Sequence, residues 1–449
     1  MTSHRTYAVV GGGISGIAAA YRIRAAAGPD ATIRVFDPAD RLGGLLRTET
    51  LGGQPVDIGA EAFIVRRPEV PALLAELGLA DRVISPTGVH TTIYSGARLH
   101  PLPSGAVNGI PGTAESVAGL VDRETLARIT AEPDRPMHWQ PGSDPAVGAV
   151  VADRFGEQVV SRSVDPMLSG VYAGSAATIG IRSSAPGVAA ALDAGAPSLT
   201  AAVRAALPGA TGGPVFGAIE GGYRVLLDEL IARSALCWSQ AAVRAVSADE
   251  SGWLIDDGTP TGFRADAVVL ALPAPQAARL LEAVAPGAAA AAARVQVASA
   301  VVLAMAMPAG TPFPPQSGVL VATGEALHCK AVTLSSRKWG SRGGAELLRL
   351  SFGRFGDDIA RATPDDTLRA WAQQDIATVF GITADPLDVL IHRWIDGLPQ
   401  YGPGHADLAA AVRAGLPPGL AVAGNFLDGV GVPACLVAAG RAAEAVLAS

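Results

Sequence analysis

Hydrophobic positions change their period twice within the first forty residues. Tyr7-Ala-Val-Val10 is a short, unbroken apolar run, which predicts a buried strand. Gly11-Gly-Gly-Ile-Ser-Gly16 interrupts it. Ile17, Ala20, Tyr21 and Arg24 then fall at helical spacing, which predicts a helix over Ile14 to Ala27, ended by Gly28-Pro-Asp30. Thr32 to Phe36 alternates and is β-branched, so it predicts a second strand. Strand, glycine turn, helix and strand in that order make a βαβ unit, the start of a doubly wound parallel sheet.

The same reading carries on down the chain. Val70, Leu73, Leu74 and Leu77 form a stripe, predicting a helix over Pro68 to Leu79 that Gly78 caps. His90 to Pro103 has the alternation of a hairpin. Gly105 to about Gly209 reads mainly helical, with Pro and Gly breaks, and Glu220-Gly-Gly-Tyr-Arg-Val-Leu-Leu opens another helix. Val243 to Val246, Trp253 to Ile255 and Ala267 to Leu272 read as strands of a returning sheet. Ala288 to Ala293 reads as an ordinary helix, and Val297 to Met307 as a buried strand or a core helix. Gly318 to Leu350 contains further strands. Pro364 to Phe380 reads as a helix, Val389 to Trp394 and Gly419 to Ala423 as short strands, and Pro433 to Ala448 as the final helix. No Ser/Gly-type linker separates these parts, so they are expected to interleave.

Composition narrows the classes. The chain has 449 residues, about three domains at ~150 residues each. It is 49% hydrophobic but 5% aromatic and 17% charged, so its core is built from small side chains. Net charge is −7, too little charge and too much apolar content for a disordered chain. A pI near 5.5 argues against a nucleic-acid binder, which needs clustered cations. Cys237, Cys329 and Cys435 are far apart, which suits a reducing compartment and matches no zinc pattern. Mean hydropathy is +0.32, yet the best apolar run, Val297 to Met307, has 11 residues against the ~18–20 a spanning helix requires. The apolar start, Tyr7 to Ala20, is broken by GGGISG, unlike a signal peptide. A soluble, cytoplasmic protein is expected, with peripheral membrane contact left open.

Gly11-x-Gly13-x-x-Gly16 has the spacing that lets a backbone turn tightly, approach a pyrophosphate and pack helix on strand. Helix-start N–H groups, among them those of Gly12, Ile14 and Ser15, then face the phosphates. Asp37, 21 residues after Gly16, ends the second strand, where a carboxylate accepts hydrogen bonds from a ribose diol. With 53 glycines in the chain, the glycine pattern alone is weak; strand, helix and acid in register make it strong.

NAD and FAD share this pattern. Arg41-Leu-Gly-Gly44, just after the acid and Pro38, resembles the RxGG segment of the flavin-containing amine oxidase superfamily. There the arginine and paired glycines (here Arg41, Gly43 and Gly44) run along the FAD pyrophosphate. Arg264-Ala-Asp-Ala-Val-Val-Leu-Ala-Leu-Pro273 resembles its returning strand. Gly424-Asn-Phe-Leu-Asp-Gly-Val-Gly-Val-Pro-Ala-Cys-Leu-Val-Ala-Ala-Gly440 resembles its last flavin motif, in which Gly429, Val430, Gly431 and Val432 lead into a helix. By spacing alone that segment is also only a glycine turn before an amphipathic helix.

A narrower resemblance is to the bacterial protoporphyrinogen IX and coproporphyrinogen III oxidases. It rests on DGVGVPACLVAAGR, on Asp165-Pro166 with Gly170-Val-Tyr-Ala-Gly174, on Arg393-Trp394 with Leu398-Pro-Gln-Tyr-Gly-Pro-Gly-His405, and on Gly221-Gly222. The motifs run from Gly11 to Gly440. Three departures stand out: Ile58-Gly-Ala-Glu-Ala-Phe63 where the family often reads RGPDSF, Gly174-Ser-Ala176 where it reads GDP, and Tyr223 where Met is usual.

This resemblance implies an α/β fold of mixed α+β character. A Rossmann-like FAD-binding domain (1–65, 212–275 and 385–449) would interleave with a β-sheet substrate domain (66–104 and 276–384) and a helical domain (105–211). It implies noncovalent FAD, although Cys435 sits where some amine oxidases link the flavin. It adds Ile58, Gly59, Ala60, Glu61, Val243 and Trp394 to the cofactor-binding residues. It implies oxidation of coproporphyrinogen III, the substrate of Gram-positive members, with protoporphyrinogen IX as the alternative. A meso carbon would give hydride to flavin N5, three times over for six electrons. Dioxygen would reoxidise the flavin to give hydrogen peroxide, and a ferrochelatase would be a neighbour in haem synthesis. No catalytic side chain, metal site or nucleophile–base arrangement stands out, and His392 reads as structural or functional alike.

A tetracarboxylate substrate needs cations. Only two of the 34 basic residues are lysines, Lys330 and Lys338, so arginine is the natural partner. Arg67 leads the candidates, with Arg66, Arg349 and Arg354 behind; a solvated surface role is the plainer reading of each. Tyr172 and Tyr401 could line a flat pocket, or be core. Two other readings stay open: an amine oxidase or carotenoid desaturase of the same fold, and a non-catalytic binding protein like the guanine-dissociation inhibitors.

Overall fold

Five parallel strands form the sheet that the opening βαβ unit predicts. In the computed structural model, which describes residues 4–209, 213–341 and 343–449, their order is Cys237–Ser239, Thr32–Phe36, Thr6–Val10, Ala267–Leu270, Leu420–Val422. Residues 1–3, 210–212 and 342, at the ends or inside of predicted segments, lie outside the described residues. Tyr7 pairs with Ala267 and Val10 with Leu270 on one side, and Val10 with Phe36 on the other. The three strands Thr6–Val10, Ala267–Leu270 and Leu420–Val422 are almost wholly apolar and buried because both faces are covered, whereas the edge strand Cys237–Ser239 is mostly exposed. The helices Ile14–Ala27 and Val432–Leu447 pack against each other, and both bury alanines, among them Ala18, Ala19, Ala438 and Ala442. Small side chains thus let the two helices approach closely.

Only Ala267–Leu270 of the three expected returning strands joins this sheet. Ala245–Asp249, Gly252–Asp256 and Phe263–Ala265 form a separate antiparallel sheet. The physical reason is their pattern: Trp253 and Ile255 are buried while their strand neighbours are not, and such alternation suits a sheet wetted on one face.

The second large element is a seven-stranded sheet, ordered Asp388–Pro399, Val297–Met307, Glu346–Phe352, Ala331–Thr333, Gly318–Val321, Thr91–Ser95, Arg98–Pro101. Val297–Met307 is a strand rather than a core helix, and it is apolar on both faces because both are used. Val301, Leu303, Met305 and Met307 pack toward the helix Asp365–Phe380 through Leu368, Ala372 and Ile376. Val302, Ala304 and Ala306 pack toward Leu51, Val56 and Ile58. Asp388–Pro399 lies in the stretch that the sequence division assigns to the FAD domain, yet it is hydrogen-bonded along Val297–Met307. Opposite Ala298–Ala300 its register shifts between Trp394 and Leu398, and the left-handed Asp396 (φ 52°) marks where the strand bends.

Gly105 to Gly209 is mainly helical, as expected, around a core of Val147, Val151, Phe155, Leu168, Val188 and Leu199. A small antiparallel ribbon, Ala106–Val107 with Ile110–Pro111, opens it. No helix among the described residues is long and apolar enough to cross a membrane.

Candidate active site

The glycine turn is closed to side chains on every side but one. A Cβ on Gly11 (φ 107°) would lie 2.2 Å from Ala271 O, on Gly16 1.9 Å from Gly11 O, and on Gly12 2.4 Å from Leu42 Cδ2. At Gly13 the nearest atom would be 3.9 Å away, the Cα of Gly44. Gly43 N donates to Gly12 O at 2.7 Å, and Gly13 and Gly43 form a bridge, so the Arg41–Gly44 segment lies along the turn. Gly44 itself is left-handed, and a Cβ there would sit 2.9 Å from Gly13 Cα. The backbones touch because both lack side chains.

Gly13 caps the helix Ile14–Ala27, and Gly431 caps Val432–Leu447. Neither has a side-chain cap or an acid in its first turn. Ile14 and Val432 share one apolar cluster, so the two helix N-termini lie side by side with their N–H groups uncompensated. Such ends favour negative charge. Close backbone approach in the cradle and uncapped helix ends beside it are features that fit an anionic dinucleotide.

Asp37 and Arg41 are placed here but turned inward. Asp37 Oδ2 accepts from Gly12 N at 2.6 Å and Oδ1 from Ala39 N at 2.9 Å. Arg41 donates to Leu42 O, Leu46 O and Gly44 O at 2.8–3.0 Å, and burial lowers its pKa. It braces the loop that carries Gly43 and Gly44. Pro38 is exposed beside Asp37. Val243 is buried with Val246 and Trp253 beyond the edge strand.

The stretch Ile58 to Glu61 runs between the two sheets. A Cβ on Gly59 would meet Leu45 O at 1.8 Å and Trp394 Cζ2 at 3.3 Å. Trp394 Nε1 donates to Ile58 O, and Arg349 Nη2 to Gly59 O, both at 2.9 Å. Glu61 accepts from Lys338 Nζ at 2.8 Å and from Ser335 Oγ at 3.0 Å, with Arg349 Nη1 3.6 Å away. Burial alone would raise its pKa; the two cations override it and hold the carboxyl at about 2. Asp57 is the opposite case. Burial pushes its pKa up to about 6, against hydrogen bonds from Thr48 Oγ1 (2.5 Å) and Tyr223 N (3.1 Å). His392 stands edge-on to Trp394 with centroids 4.1 Å apart; burial first, then Arg47 and Arg41, lower it to about 4, so it is neutral at pH 7.

Tyr172 and Tyr401 meet, with ring centroids 5.7 Å apart. Tyr401 is buried, donates to Asn425 O and lies against His405; Asn425 Nδ2 in turn donates to Gly397 O at 3.0 Å. This links the PQY segment to the C-terminal motif. Gln400 Nε2 donates to Tyr172 O at 2.9 Å. The four arginines do not converge. Arg66 is exposed, and Arg67 is exposed and paired with Glu69 at 2.6 Å. Arg354 donates to Thr323 Oγ1 at 3.0 Å beside the buried Asp165, and Arg349 faces Gly59.

Cys435 is buried among Ile14, Tyr223 and Val432, and burial pushes its thiol up to about 11. A protonated thiol is a poor nucleophile toward a flavin. Sequence reasoning did not name Asp57, and it gave no individual role to Thr48, just after the paired glycines, to Lys338, one of two lysines, or to Asn425, inside the C-terminal motif. The scarcity of lysine singled out Lys330 and Lys338 without saying what either holds.

Residues 14–447 match the family model described as flavin containing amine oxidoreductase. The chain is 63% identical over 443 residues to a coproporphyrinogen III oxidase of Mycobacterium bovis, covering 99% of this chain and 97% of that one. It is 61% identical over 448 residues to that of Mycobacterium leprae, covering 100% and 99%. A crystal structure described as a protoporphyrinogen oxidase, from Exiguobacterium sp. 255-15, superposes with a TM-score of 0.88 at 28% identity, covering both chains fully.

Proposed function

Since this chain belongs to the flavin-containing amine oxidoreductases, we propose that it oxidises coproporphyrinogen III to coproporphyrin III with noncovalent FAD. The observation that carries this is 61–63% identity, end to end, to relatives named for that reaction, against 28% to the structure named for protoporphyrinogen. FAD would supply the hydride acceptor and pass the electrons on to dioxygen. The turn Gly11–Gly16 with Gly43 and Gly44 would hold the phosphates, Asp37 would lie at the ribose, and Gly429–Val432 with Ile58–Glu61 would border the ring. The parallel sheet thus carries the cofactor, and the seven-stranded sheet with the helical region encloses the substrate.

No general base is required of the protein. His392 is neutral, half-buried and edge-on to Trp394, and pyrrole N–H protons can leave to solvent as the macrocycle becomes aromatic. Tyr172 and Tyr401 supply flat apolar area. Arg66 and Arg67, exposed just past Ile58–Phe63, are the cations offered to substrate carboxylates. A ferrochelatase would take the product.

The test is aerobic turnover of purified protein with coproporphyrinogen III and with protoporphyrinogen IX, read by porphyrin fluorescence and by peroxide. Faster oxidation of the tetracarboxylate supports the reading; a yellow, FAD-loaded protein inactive on both overturns it. Arg67→Ala is expected to raise KM for coproporphyrinogen III and keep FAD bound. Loss of FAD instead would move Arg67 to the cofactor.

A further inference from the structure

Two side chains of the seven-stranded sheet grip consecutive carbonyls of one loop. Trp394 takes Ile58 O and Arg349 takes Gly59 O, each at 2.9 Å. Trp394 lies opposite Ala300 and Arg349 opposite Ala304 on Val297–Met307, so both leave the same face of the sheet. No peptide bond among the described residues is cis. In a trans peptide the carbonyl and the following N–H point in opposite directions. With both carbonyls drawn to the sheet, the N–H groups of Gly59 and Ala60 are turned away from it. Neither finds an acceptor among the described residues, whereas Ile58 N donates to Arg47 O at 2.9 Å. Ala60 is exposed and Gly59 partly so. Two adjacent backbone donors are therefore left open where the loop borders the proposed flavin site.

Charge is arranged behind them. Glu61 is shared between Lys338 (2.8 Å) and Arg349 (3.6 Å), two cations to one carboxylate. Buried Nε and Nη1 of Arg349 have no hydrogen-bond partner, so its charge is incompletely neutralised. Such a group is expensive to bury unless something gains from its field.

Resting on the FAD-dependent reading above, we propose that Arg349 and Trp394 are positioning residues for the oxidation. They aim the Gly59 and Ala60 N–H groups at the flavin, and Arg349 adds a positive charge behind them, so that the reduced, electron-rich ring is favoured. Preorganised donors and dipoles of this kind act most strongly in a dry site, because they need no rearrangement as charge develops. Arg349 thereby serves the cofactor rather than a substrate carboxylate.

The test uses FAD-loaded wild type, Arg349→Gln, Arg349→Lys and Trp394→Phe. Midpoint potentials are measured without substrate, and flavin reduction by coproporphyrinogen III is followed anaerobically. Arg349→Gln keeps a donor but loses the charge. Its potential should fall by about 30 mV, the two-electron equivalent of a tenfold change. Its limiting reduction rate should fall about tenfold, less than for loss of a direct donor, with KM unchanged. Arg349→Lys should restore the potential. Trp394→Phe should slow reduction at an unchanged KM, and it serves alone if Arg349→Gln does not fold. A raised KM with unchanged potential makes Arg349 a carboxylate ligand and overturns the proposal, as do wild-type potential and rate in both Arg349→Gln and Trp394→Phe. Loss of FAD from every variant makes both residues merely structural and also overturns it. Wild type that binds no FAD or oxidises no porphyrinogen sinks the underlying reading instead, and is told apart by that control.

Discussion

Asp57 ends the strand Gln54–Asp57 and Glu61 lies four residues on, in the loop that follows, and the protein treats their carboxyl groups in opposite ways. Asp57 is buried without a cation in contact and titrates at about 6. A carboxyl raised in the folded state contributes stability below its ordinary pKa of 3.8, and that stability is lost as pH rises through about 6. The interval is worth on the order of 3 kcal/mol. Asn in its place keeps an acceptor for Thr48 and Tyr223. Asp57→Asn should therefore gain on wild type in urea midpoint between about pH 4 and 6, and hold the gain above. Unchanged relative stability across that range would refute the burial argument. Glu61 runs the other way: held at about 2, it contributes stability above 4.5 that is lost as pH falls toward 2. The thiols make a simpler check. Cys237 is exposed while burial raises both Cys329 and Cys435. A thiol reagent should label one cysteine in the native protein and three after denaturation.

At the scale of elements, the strand Val297–Met307 separates two kinds of packing. Leu303 faces a conventional core, so Leu303→Ala should cost about 2–5 kcal/mol by leaving a cavity. Ala304 faces Ile58 and pairs with Arg349. Ala304→Val should cost about 1–3 kcal/mol by overpacking and also weaken FAD retention, which Leu303→Ala should not. Denaturant titration and flavin content separate the two. Gly59→Ala should lose FAD, because its Cβ would meet the Leu45 carbonyl, which is backbone and cannot swing aside. Elements of this sort were legible where period and burial agree. Ile14–Ala27 and Thr32–Phe36 follow from their patterns to the residue. The hairpin Thr48–Leu51 with Gln54–Asp57 was not read, though its Gly52-Gly53 turn, left-handed at both positions, is a two-residue hairpin signal. Hidden altogether were contacts between sheets. Nothing in local sequence tells that Arg349 reaches Gly59 across 290 residues, or that Asn425 reaches Gly397, because such pairs are set by how strands stack, not by spacing. The inward turn of Arg41 was equally out of reach: its motif gives the neighbourhood of a phosphate, not the rotamer.

For the molecule as a whole, cofactor and fold are coupled. The cradle, the loop Ile58 to Glu61 and the helix Val432–Leu447 converge from both ends of the chain, so FAD should bind the folded state alone. At a hundredfold excess over its Kd, FAD should add about 2.7 kcal/mol. Thermal melts of stripped protein should rise steadily with added FAD; an unchanged melting temperature would show that the folded chain does not bind FAD in preference to the unfolded one. The parallel sheet has a further consequence for how the protein is made. Val10 pairs with Leu270, and Leu270 with Val422. A ribosome has therefore released most of the chain before the sheet can close, and the loop entropy of those pairings is met only then. Until Leu420–Val422 arrives, Ala267–Leu270 is an apolar strand with an open edge, a template for pairing with a neighbouring chain. Nascent or truncated copies are the aggregation-prone species, and flavin supply during synthesis becomes a determinant of yield.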